Sequence, residues 1–364
     1  MCRSVKCTDL STTARGIVKF NPYYDQEEFQ AYKYYDQPAL RLLDWCLGRL
    51  QRGRSPWQPE RLRARLRRLF LARIEADLAD LAIRLAVRDV PSAHGRERFE
   101  LSLDIGGLVE SRATLTLPSG QRPDAPLFLC LHGHQHEGRQ WTITEGPAAA
   151  LARAGYACLS PDVLGLGESR GATDKVVRGS ITYDLLVHDA LLLGWSLNGL
   201  RLWVLERWMQ AIRQSDRLGK RVGRFACAGF SLGGELALYL AALHTGIEPV
   251  YISHYACPWE ASYWSKLHCK CAYVPGLMRL ADLEDIYKLV APRALAVEVG
   301  RKDRSFSWED TEQLLGRVGA HYARVSARER FHRVVSEGDH VFDCAPQTLA
   351  FLARVSGRRA GEGQ

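Results

Sequence analysis

The sequence lacks a long apolar run. The stretch 185–195 is apolar but contains His188 and Asp189, and it is much shorter than the ~20 residues that a membrane-spanning helix needs. The first residues, from Met1 to Ser4, are not followed by the apolar segment that a secretory signal contains. We therefore expect a protein without a membrane span that resides in the cytoplasm.

Lysine is scarce, since it supplies only 9 of the 49 basic residues while the rest are arginine. The formal net charge is +8, and much of the basic excess lies between Arg52 and Arg73. Such a cluster can form a surface for nucleic acid or acidic membrane, or it can be the solvated face of a helix. We favour the solvated face and expect no nucleic-acid partner, because only the arginine content supports one.

A disulfide framework is not indicated, although the ten cysteines would permit five bridges. Cys130, Cys158 and Cys227 each lie within an apolar, strand-like run, where cysteine behaves as a small buried hydrophobe. This placement favours free thiols and a reducing compartment.

The 364 residues include 46% hydrophobic and 25% charged residues, a composition that excludes a disordered or collagen-like chain and predicts one large domain with an appendage. Between Leu62 and Leu85, apolar residues recur at three- and four-residue spacing, which predicts an amphipathic helix. The segment 89–92, of sequence DVPS, ends it. We expect residues 1–95 to form a helical extension or cap. Its exposed face leaves two interpretations open, a homodimer contact or a lid.

From Phe99 the pattern changes to that of strands. Alternating residues in 99–103 and a second run at 112–117, on either side of Gly106 and Gly107, predict a hairpin. Short, fully apolar runs separated by helix-length segments then predict a mostly parallel sheet with helices on both faces. These runs are 127–131, 157–160, 225–228, 250–253, 294–299 and 333–335. We expect an α/β catalytic domain over 96–355 and a flexible tail at 356–364.

The segment 229–233, of sequence GFSLG, carries the strongest chemical signal. It follows the apolar run 225–228 and precedes a good helix former at 235–243. A nucleophile on a sharp strand-to-helix turn needs glycines on both sides, because side chains there would clash. We predict that Ser231 is a nucleophile; a plain turn with a buried serine is the competing interpretation.

A serine hydroxyl needs a base, which in turn needs a group that orients it. With this kind of turn, the acid and then the histidine follow the serine along the chain. Asp303 and His340 each follow a predicted strand, so both belong to loops at the carboxyl ends of parallel strands. Asp339 and Glu298 compete for the role of the acid, but one is adjacent to the histidine and the other lies within a strand. We predict a Ser231, Asp303, His340 triad.

An oxyanion hole requires two backbone N–H groups. One should be that of Leu232, directly after the nucleophile. The other should come from the loop 132–138, of sequence HGHQHEG, and we assign it to His134. Three histidines and a glutamate in this loop could instead form a zinc site, but the complete triad favours the oxyanion hole.

These motifs together resemble the α/β-hydrolase superfamily, and within it the branch of dienelactone hydrolase and acetyl xylan esterase-like proteins. The matching residues are His132-Gly133, Asp162-x-x-Gly165-x-Gly167-x-Ser169, the turn at Ser231, Ala291-Pro292-Arg293, Gly300-x-x-Asp303 and Gly338-x-His340. The resemblance covers residues 99–352 and implies an α/β-hydrolase fold. Dienelactone hydrolase itself uses cysteine as its nucleophile, so Ser231 indicates the esterase side.

The segment 268–276 contains Cys269 and Cys271 and could bind zinc with nearby histidines, but a Cys-x-Cys pair is closer than the usual spacing of zinc ligands. A similar segment borders the active site in the branch that the chain resembles, so we interpret it as a pocket wall. We expect no metal and no other cofactor. Aromatic side chains would suit an apolar or sugar-like substrate, although such clusters are more often core. The expected pocket residues are His136, Phe230, Trp259, Trp264 and Tyr273.

Together these patterns predict a serine hydrolase that cleaves a carboxylic ester, with a small acyl or lactone-like substrate, through an acyl-enzyme. The same triad could serve an acyltransferase, a thioesterase or a cyclase that acts on a biosynthetic intermediate, and the fold does not choose among these. A non-catalytic binding protein on the same scaffold is a third hypothesis, which the intact triad disfavours.

Overall fold

The computed structural model describes residues 38–52, 57–93, 95–119, 121–122, 125–170, 181–265 and 268–357. Its strands are β1 (Ile83–Ala93), β2 (Arg96–Ile105), β3 (Val109–Pro118), β4 (Pro126–Leu131), β5 (Ala157–Pro161), β6 (Arg224–Phe230), β7 (Val250–Ser253), β8 (Leu295–Gly300) and β9 (Phe331–Ser336). Its helices are α1 (Pro38–Arg52), α2 (Pro59–Asp77), α3 (Arg139–Thr144), α4 (Pro147–Arg153), α5 (Ile181–Leu192), α6 (Leu197–Gln214), α7 (Leu232–Leu243), α8 (Leu277–Leu280), α9 (Leu283–Lys288), α10 (Trp308–Arg324) and α11 (Pro346–Val355).

Within these residues the strands form one sheet in the order β1-β2-β3-β5-β4-β6-β7-β8-β9. The strands β1, β2 and β3 are antiparallel to their neighbours in the sheet. The six strands β4 to β9 run parallel to one another. The predicted hairpin is confirmed as β2 and β3, with Gly106 and Gly107 in the turn at positive φ. The six predicted apolar runs correspond to β4 through β9.

Helices cover both faces of the sheet, because alternate residues of each buried strand face opposite sides. Leu127 and Leu129 of β4 belong to the apolar cluster that α2, α6, α7 and α10 cover. Phe128 and Cys130 belong to a second cluster, which contains Leu151 of α4 and residues of α11. The predicted fold class, a mostly parallel sheet between two helical layers, is confirmed.

The prediction that residues 1–95 are helical is wrong for its last part. Helix α2 ends at Asp77, and residues 83–93 form β1 at the edge of the main sheet, with Leu85 opposite Leu103 of β2. Leu81 and Leu85 fit both a helical spacing and a two-residue alternation, and packing against β2 selects the strand. Residues 1–37 and most of the predicted tail, 358–364, lie outside the described residues.

Helix α2 packs on the helices of the main domain through its buried side chains, which are Leu66, Phe70, Leu71 and Ile74. Arg61 and Arg68 of α2 are exposed, whereas Arg63 donates to the Leu289 carbonyl at 3.2 Å. Arg67 also contacts the domain, because its guanidinium donates to the buried carboxylate of Glu206 at 2.8 Å, and Glu206 also pairs with His244. The basic helix is therefore anchored to the domain by both apolar and charged contacts.

In the part of the chain described, no helix combines the length and the apolar composition that crossing a membrane requires. The eight cysteines found there, which include Cys130, Cys158 and Cys227, are free thiols.

Candidate active site

Ser231 occupies a strained turn between β6 and α7. Its backbone has φ 54° and ψ −120°, an unusual conformation for a residue other than glycine, and its N–H donates to the Ser253 carbonyl at 2.9 Å. A Cβ atom on Gly229 would overlap the backbone of Gly233, and one on Gly233 would overlap the Leu131 carbonyl. Glycine is therefore required at both positions, as the sequence predicted.

Three predicted side chains come together at this turn. His340 Nε2 lies 2.9 Å from Ser231 Oγ, and His340 Nδ1 lies 2.8 Å from Asp303 Oδ2. The other carboxylate oxygen of Asp303 accepts the N–H groups of Ser305 at 2.8 Å and Phe306 at 3.2 Å. These bonds fix the carboxylate plane, so the imidazole is held by one nitrogen while the other faces the hydroxyl.

Two neighbouring parallel strands position the acid and the histidine. Asp303 follows β8 and His340 follows β9, and the two loops are joined by the bond from the Lys302 N–H to the Gly338 carbonyl at 3.0 Å. Asp339 accepts the backbone N–H of His340 at 2.7 Å and thus sits beside the backbone of the histidine, away from its ring.

The second competing acid, Glu298, lies within β8. Its carboxylate accepts the Tyr251 hydroxyl at 2.6 Å and the Ala345 N–H at 2.9 Å, which engages it away from the histidine. The geometry therefore favours Asp303 over both alternatives.

The backbone around Leu232 and His134 suits an oxyanion hole. Leu232 is the first residue of α7, where a backbone N–H has no acceptor within the helix. The loop that carries His134 lies against the turn, because a Cβ atom on Gly133 would lie 3.2 Å from the Phe230 carbonyl and 3.2 Å from Ser231 Cβ. Both predicted N–H donors thus belong to backbone that borders Ser231.

The imidazole of His134 lies between the two thiols of the Cys-x-Cys segment. Its Nδ1 is 3.6 Å from Cys269 Sγ and its Nε2 is 3.6 Å from Cys271 Sγ. Removal from water and the nearby Arg201 charge lower the pKa of His134 to about 3, so the ring is neutral at pH 7. Each sulfur faces a different ring nitrogen. In the described ranges, no group of three or more His, Cys, Asp or Glu side chains is arranged to hold a metal ion.

A small cavity of about 40 Å³ opens beside Ser231 and His340. Its lining is mostly polar and aromatic. The remaining lining residues are His134, Leu232, Glu235, Tyr255, Tyr263, His268, Cys269, Ser305 and Phe306.

The five predicted pocket residues lie outside this lining. His136 is exposed, with Nδ1 3.3 Å from Arg170 Nη1. The indole N–H of Trp264 donates to Asp44 of α1 at 2.7 Å.

The other three predicted pocket residues support the site from behind. Phe230 is buried against the His340 ring, with centroids 5.0 Å apart. Trp259 is buried and donates its indole N–H to the Tyr255 hydroxyl at 3.2 Å, and the Tyr273 hydroxyl accepts the His268 N–H at 3.2 Å. The predicted aromatic lining is therefore wrong in its residues, because these side chains pack behind or beside the lining.

Sequence reasoning missed Glu235, although a signal for it was present. It is four residues after Ser231, so the two share a helix face, and it is the one charged residue in an otherwise apolar helix. The remaining lining residues come from loops far apart in the chain, which only the folded structure brings together.

An α/β sheet with its nucleophile on a strand-to-helix turn defines the class of α/β-hydrolase-fold proteins. Residues 126–256 match the family described as the alpha/beta hydrolase fold. YtaP of Bacillus subtilis (strain 168), which carries a hydrolase name, is 26% identical over 261 residues, spanning 66% of this chain and 81% of the relative. This family match confirms the predicted α/β-hydrolase fold.

Solved structures agree with this fold. A protein of Bacteroides fragilis NCTC 9343 with an acetyl xylan esterase name aligns with a TM-score of 0.64 at 16% identity, covering 80% of this chain and 81% of the other. The acetyl xylan esterase from Paenibacillus sp. R4 aligns with a TM-score of 0.55 at 14% identity, covering 85% and 98%. The resemblance to the α/β-hydrolase superfamily is therefore confirmed, and the hydrolase relative agrees with the prediction of a hydrolase.

Proposed function

We propose that the protein is a serine hydrolase that cleaves a carboxylic ester through an acyl-enzyme. The observation that supports it most directly is the hydrogen-bonded line from Asp303 through His340 to Ser231, with spacings of 2.8 Å and 2.9 Å. Such a line gives a serine hydroxyl the base and the orienting group that it needs.

In the proposed mechanism Ser231 Oγ attacks the ester carbonyl carbon while His340 Nε2 takes the hydroxyl proton. Asp303 accepts a hydrogen bond from the His340 Nδ1–H and stabilises the imidazolium. The N–H groups of Leu232 and His134 bind the oxyanion, and His340 returns its proton to the alcohol that leaves. Water, activated by the same histidine, then cleaves the acyl-enzyme and regenerates Ser231.

A short acyl group fits the cavity best. The cavity is small, about 40 Å³, and the aromatic side chains of Tyr263 and Phe306 are part of its lining, which favours a short acyl chain over a long one. The acetyl xylan esterase names of structural neighbours support the same class of substrate. We further propose a cytoplasmic location, which the free thiols favour.

The test is hydrolysis of p-nitrophenyl esters of increasing acyl length by the wild type and by Ser231→Ala. We expect activity in the wild type alone, highest for acetyl and lower for longer chains. Undiminished activity in Ser231→Ala would refute the assignment of the nucleophile.

Two further measurements separate the alternatives. New ester products that appear only when an alcohol acceptor is added, or amide products that appear only with an amine acceptor, would indicate an acyltransferase. Failure of a fluorophosphonate probe to label the wild type, together with no hydrolysis at any acyl length, would favour the non-catalytic binding protein.

A further inference from the structure

Glu235 has no role in the proposed mechanism, yet it lies in the wall of the cavity beside Ser231. It follows Ser231 by one turn of α7, and its N–H donates to the Ser231 carbonyl at 2.9 Å. Residues four apart share one helix face. The Glu235 side chain, in a residue only 2% exposed, is therefore presented to the same space as the nucleophile.

A directed chain of hydrogen bonds ends on this carboxyl group. The Trp259 indole N–H donates to Tyr255 Oη at 3.2 Å, and Tyr255 Oη lies 3.1 Å from Tyr239 Oη. Tyr239 in turn donates to Glu235 Oε1 at 3.0 Å. Because an indole N–H only donates and the Tyr239 hydroxyl gives its one proton to Glu235, every bond in the chain is directed toward Glu235. The protein thus fixes this group as an acceptor.

The surroundings of Glu235 make a carboxyl group costly. The other buried residues of α7 are almost all apolar, and an ionised side chain in such a place requires polar partners. Burial raises the pKa of Glu235 to about 7, while the Tyr239 hydrogen bond and the Arg201 charge act in the opposite direction. As a carboxylate, Glu235 can accept a hydrogen bond from a ligand in addition to the one from Tyr239.

We propose that Glu235 binds a hydrogen-bond donor on the acyl part of the substrate, so that the preferred ester carries a hydroxyl or ammonium group on a short acyl chain. This inference rests on the proposed function. The acyl group stays bonded to Ser231 Oγ in the intermediate, and Glu235 lies one helical turn away, a rise of about 5.4 Å. The cavity is small, about 40 Å³, so we choose the shortest acyl groups that carry such a donor, which are hydroxyacetyl and aminoacetyl.

The test compares three near-isosteric esters, which are ethyl glycolate, ethyl glycinate and ethyl propionate, by the ethanol they release. We expect the wild-type kcat/KM for glycolate or glycinate to exceed that for propionate by at least about 10-fold, because a site built to bind a polar group discriminates against the analogue that lacks it. A preference for glycolate would show that the bound donor is a hydroxyl group, and a preference for glycinate would show that it is an ammonium group.

Two variants of Glu235 test the assignment to this side chain. In Glu235→Leu, kcat/KM for the preferred polar ester should fall at least about 10-fold more than that for propionate. Glu235→Gln keeps an acceptor but has no charge, so it should retain part of a preference for glycolate and lose a preference for glycinate.

Tyr251→Phe is the matched control, because Tyr251 also donates to a buried glutamate, Glu298, at 2.6 Å, but outside the cavity lining. It should leave the ratio between esters at the wild-type value. A wild type that hydrolyses p-nitrophenyl acetate without preferring either polar ester would overturn the inference and leave the proposed function intact. An equal fall in kcat/KM for all three esters in Glu235→Leu would have the same meaning. A wild type that hydrolyses none of the esters tested would overturn both.

Discussion

The imidazole of His254 packs edge-on against that of His340, with ring centroids 5.5 Å apart and ring planes at 82°. His254 follows β7 with φ 53°, and its Nδ1 lies 2.9 Å from Ser253 Oγ. Burial and the nearby His340 lower the pKa of His254 to about 4. His254 is therefore neutral at pH 7, so in the proposed mechanism it adds no second positive charge beside the His340 imidazolium.

This lowered pKa predicts a specific loss of stability in acid. The unfolded chain binds a proton at His254 near the ordinary pKa of 6.5, whereas the folded chain binds it only near pH 4. The free energy of unfolding should therefore fall as the pH is lowered from about 6.5 to 4. Asparagine tolerates a positive φ, so His254→Asn should preserve the backbone. In this variant the free energy of unfolding should fall less steeply with decreasing pH, by up to about 1.4 kcal/mol per pH unit.

Urea unfolding at several pH values between 4.5 and 6.5 measures both slopes. Other groups contribute to the wild-type slope, but they are common to the two proteins, so the difference isolates His254. Identical slopes for wild type and variant would show that His254 is not kept neutral by the fold.

Asp303 and Asp339 make a matched pair of carboxylates around His340. One accepts a hydrogen bond from the ring and the other from the backbone N–H, at 2.8 Å and 2.7 Å. Asp303→Asn should lower kcat on the order of 10³ to 10⁴-fold, because the amide no longer selects the tautomer that presents a basic Nε2 to Ser231. Asp339→Asn should have a much smaller effect.

Steady-state hydrolysis of p-nitrophenyl acetate by both variants, with circular dichroism to check the fold, makes the comparison. If Asp339→Asn were the more damaging change, the acid of the triad would have been assigned to the wrong loop.

The sequence carried enough information for the sheet and for three side chains that the fold brings within hydrogen-bonding distance, Ser231, Asp303 and His340. Six buried strands were visible because each is a short continuous apolar run, and Asp303 and His340 could be found because strand-end loops hold the chemistry of such sheets. β1 was misread, since Leu81 and Leu85 satisfy a helix and a strand equally well. Only pairing with β2 decides between them.

The pocket could not be predicted in the same way. Trp259 was a reasonable candidate by residue type, but its indole is buried and points its N–H at Tyr255. The lining includes Cys269 of the segment 268–276, which we interpreted as a pocket wall, but it combines this residue with others such as Phe306, from a loop whose position depends on the whole fold. Residue type and order were enough to propose side chains that the fold brings together, whereas the shape of the cavity depends on tertiary contacts.

Replacing Gly233 by alanine adds a single methyl group, and we expect it to lower the stability of the protein strongly. Its Cβ would overlap the Leu131 carbonyl of the central strand, where neither backbone can move freely. Gly233→Ala should therefore cost several kcal/mol, on the order of 3 kcal/mol or more, or prevent soluble expression.

Gly316 supplies the control for this substitution. It lies within α10 and has no atom within 4 Å of the position that a Cβ would take. Gly316→Ala should raise the free energy of unfolding by up to about 1 kcal/mol, because alanine has the higher helix propensity. Urea unfolding should show that the free energy of unfolding falls in Gly233→Ala and rises in Gly316→Ala. A stable Gly233→Ala protein would contradict the close approach of this turn to β4.

Helix α2 should contribute to the site through Phe70. This ring is buried and lies 5.1 Å, between centroids, from Tyr239, the residue that donates to Glu235. Phe70→Ala should lower the free energy of unfolding by about 3 to 5 kcal/mol, since it leaves a cavity between α2 and α7.

The neighbouring Leu69 is only partly buried, so Leu69→Ala controls for a change in the helix itself and should cost clearly less. Urea unfolding gives both losses, and kcat/KM for the esters above shows whether releasing Tyr239 also weakens discrimination by Glu235. Because Tyr239 donates to the Glu235 carboxyl group in the cavity wall, the ratio between polar and apolar esters should fall in Phe70→Ala and not in Leu69→Ala. Equal losses of stability in the two variants would mean that α2 does not pack on Tyr239 in solution.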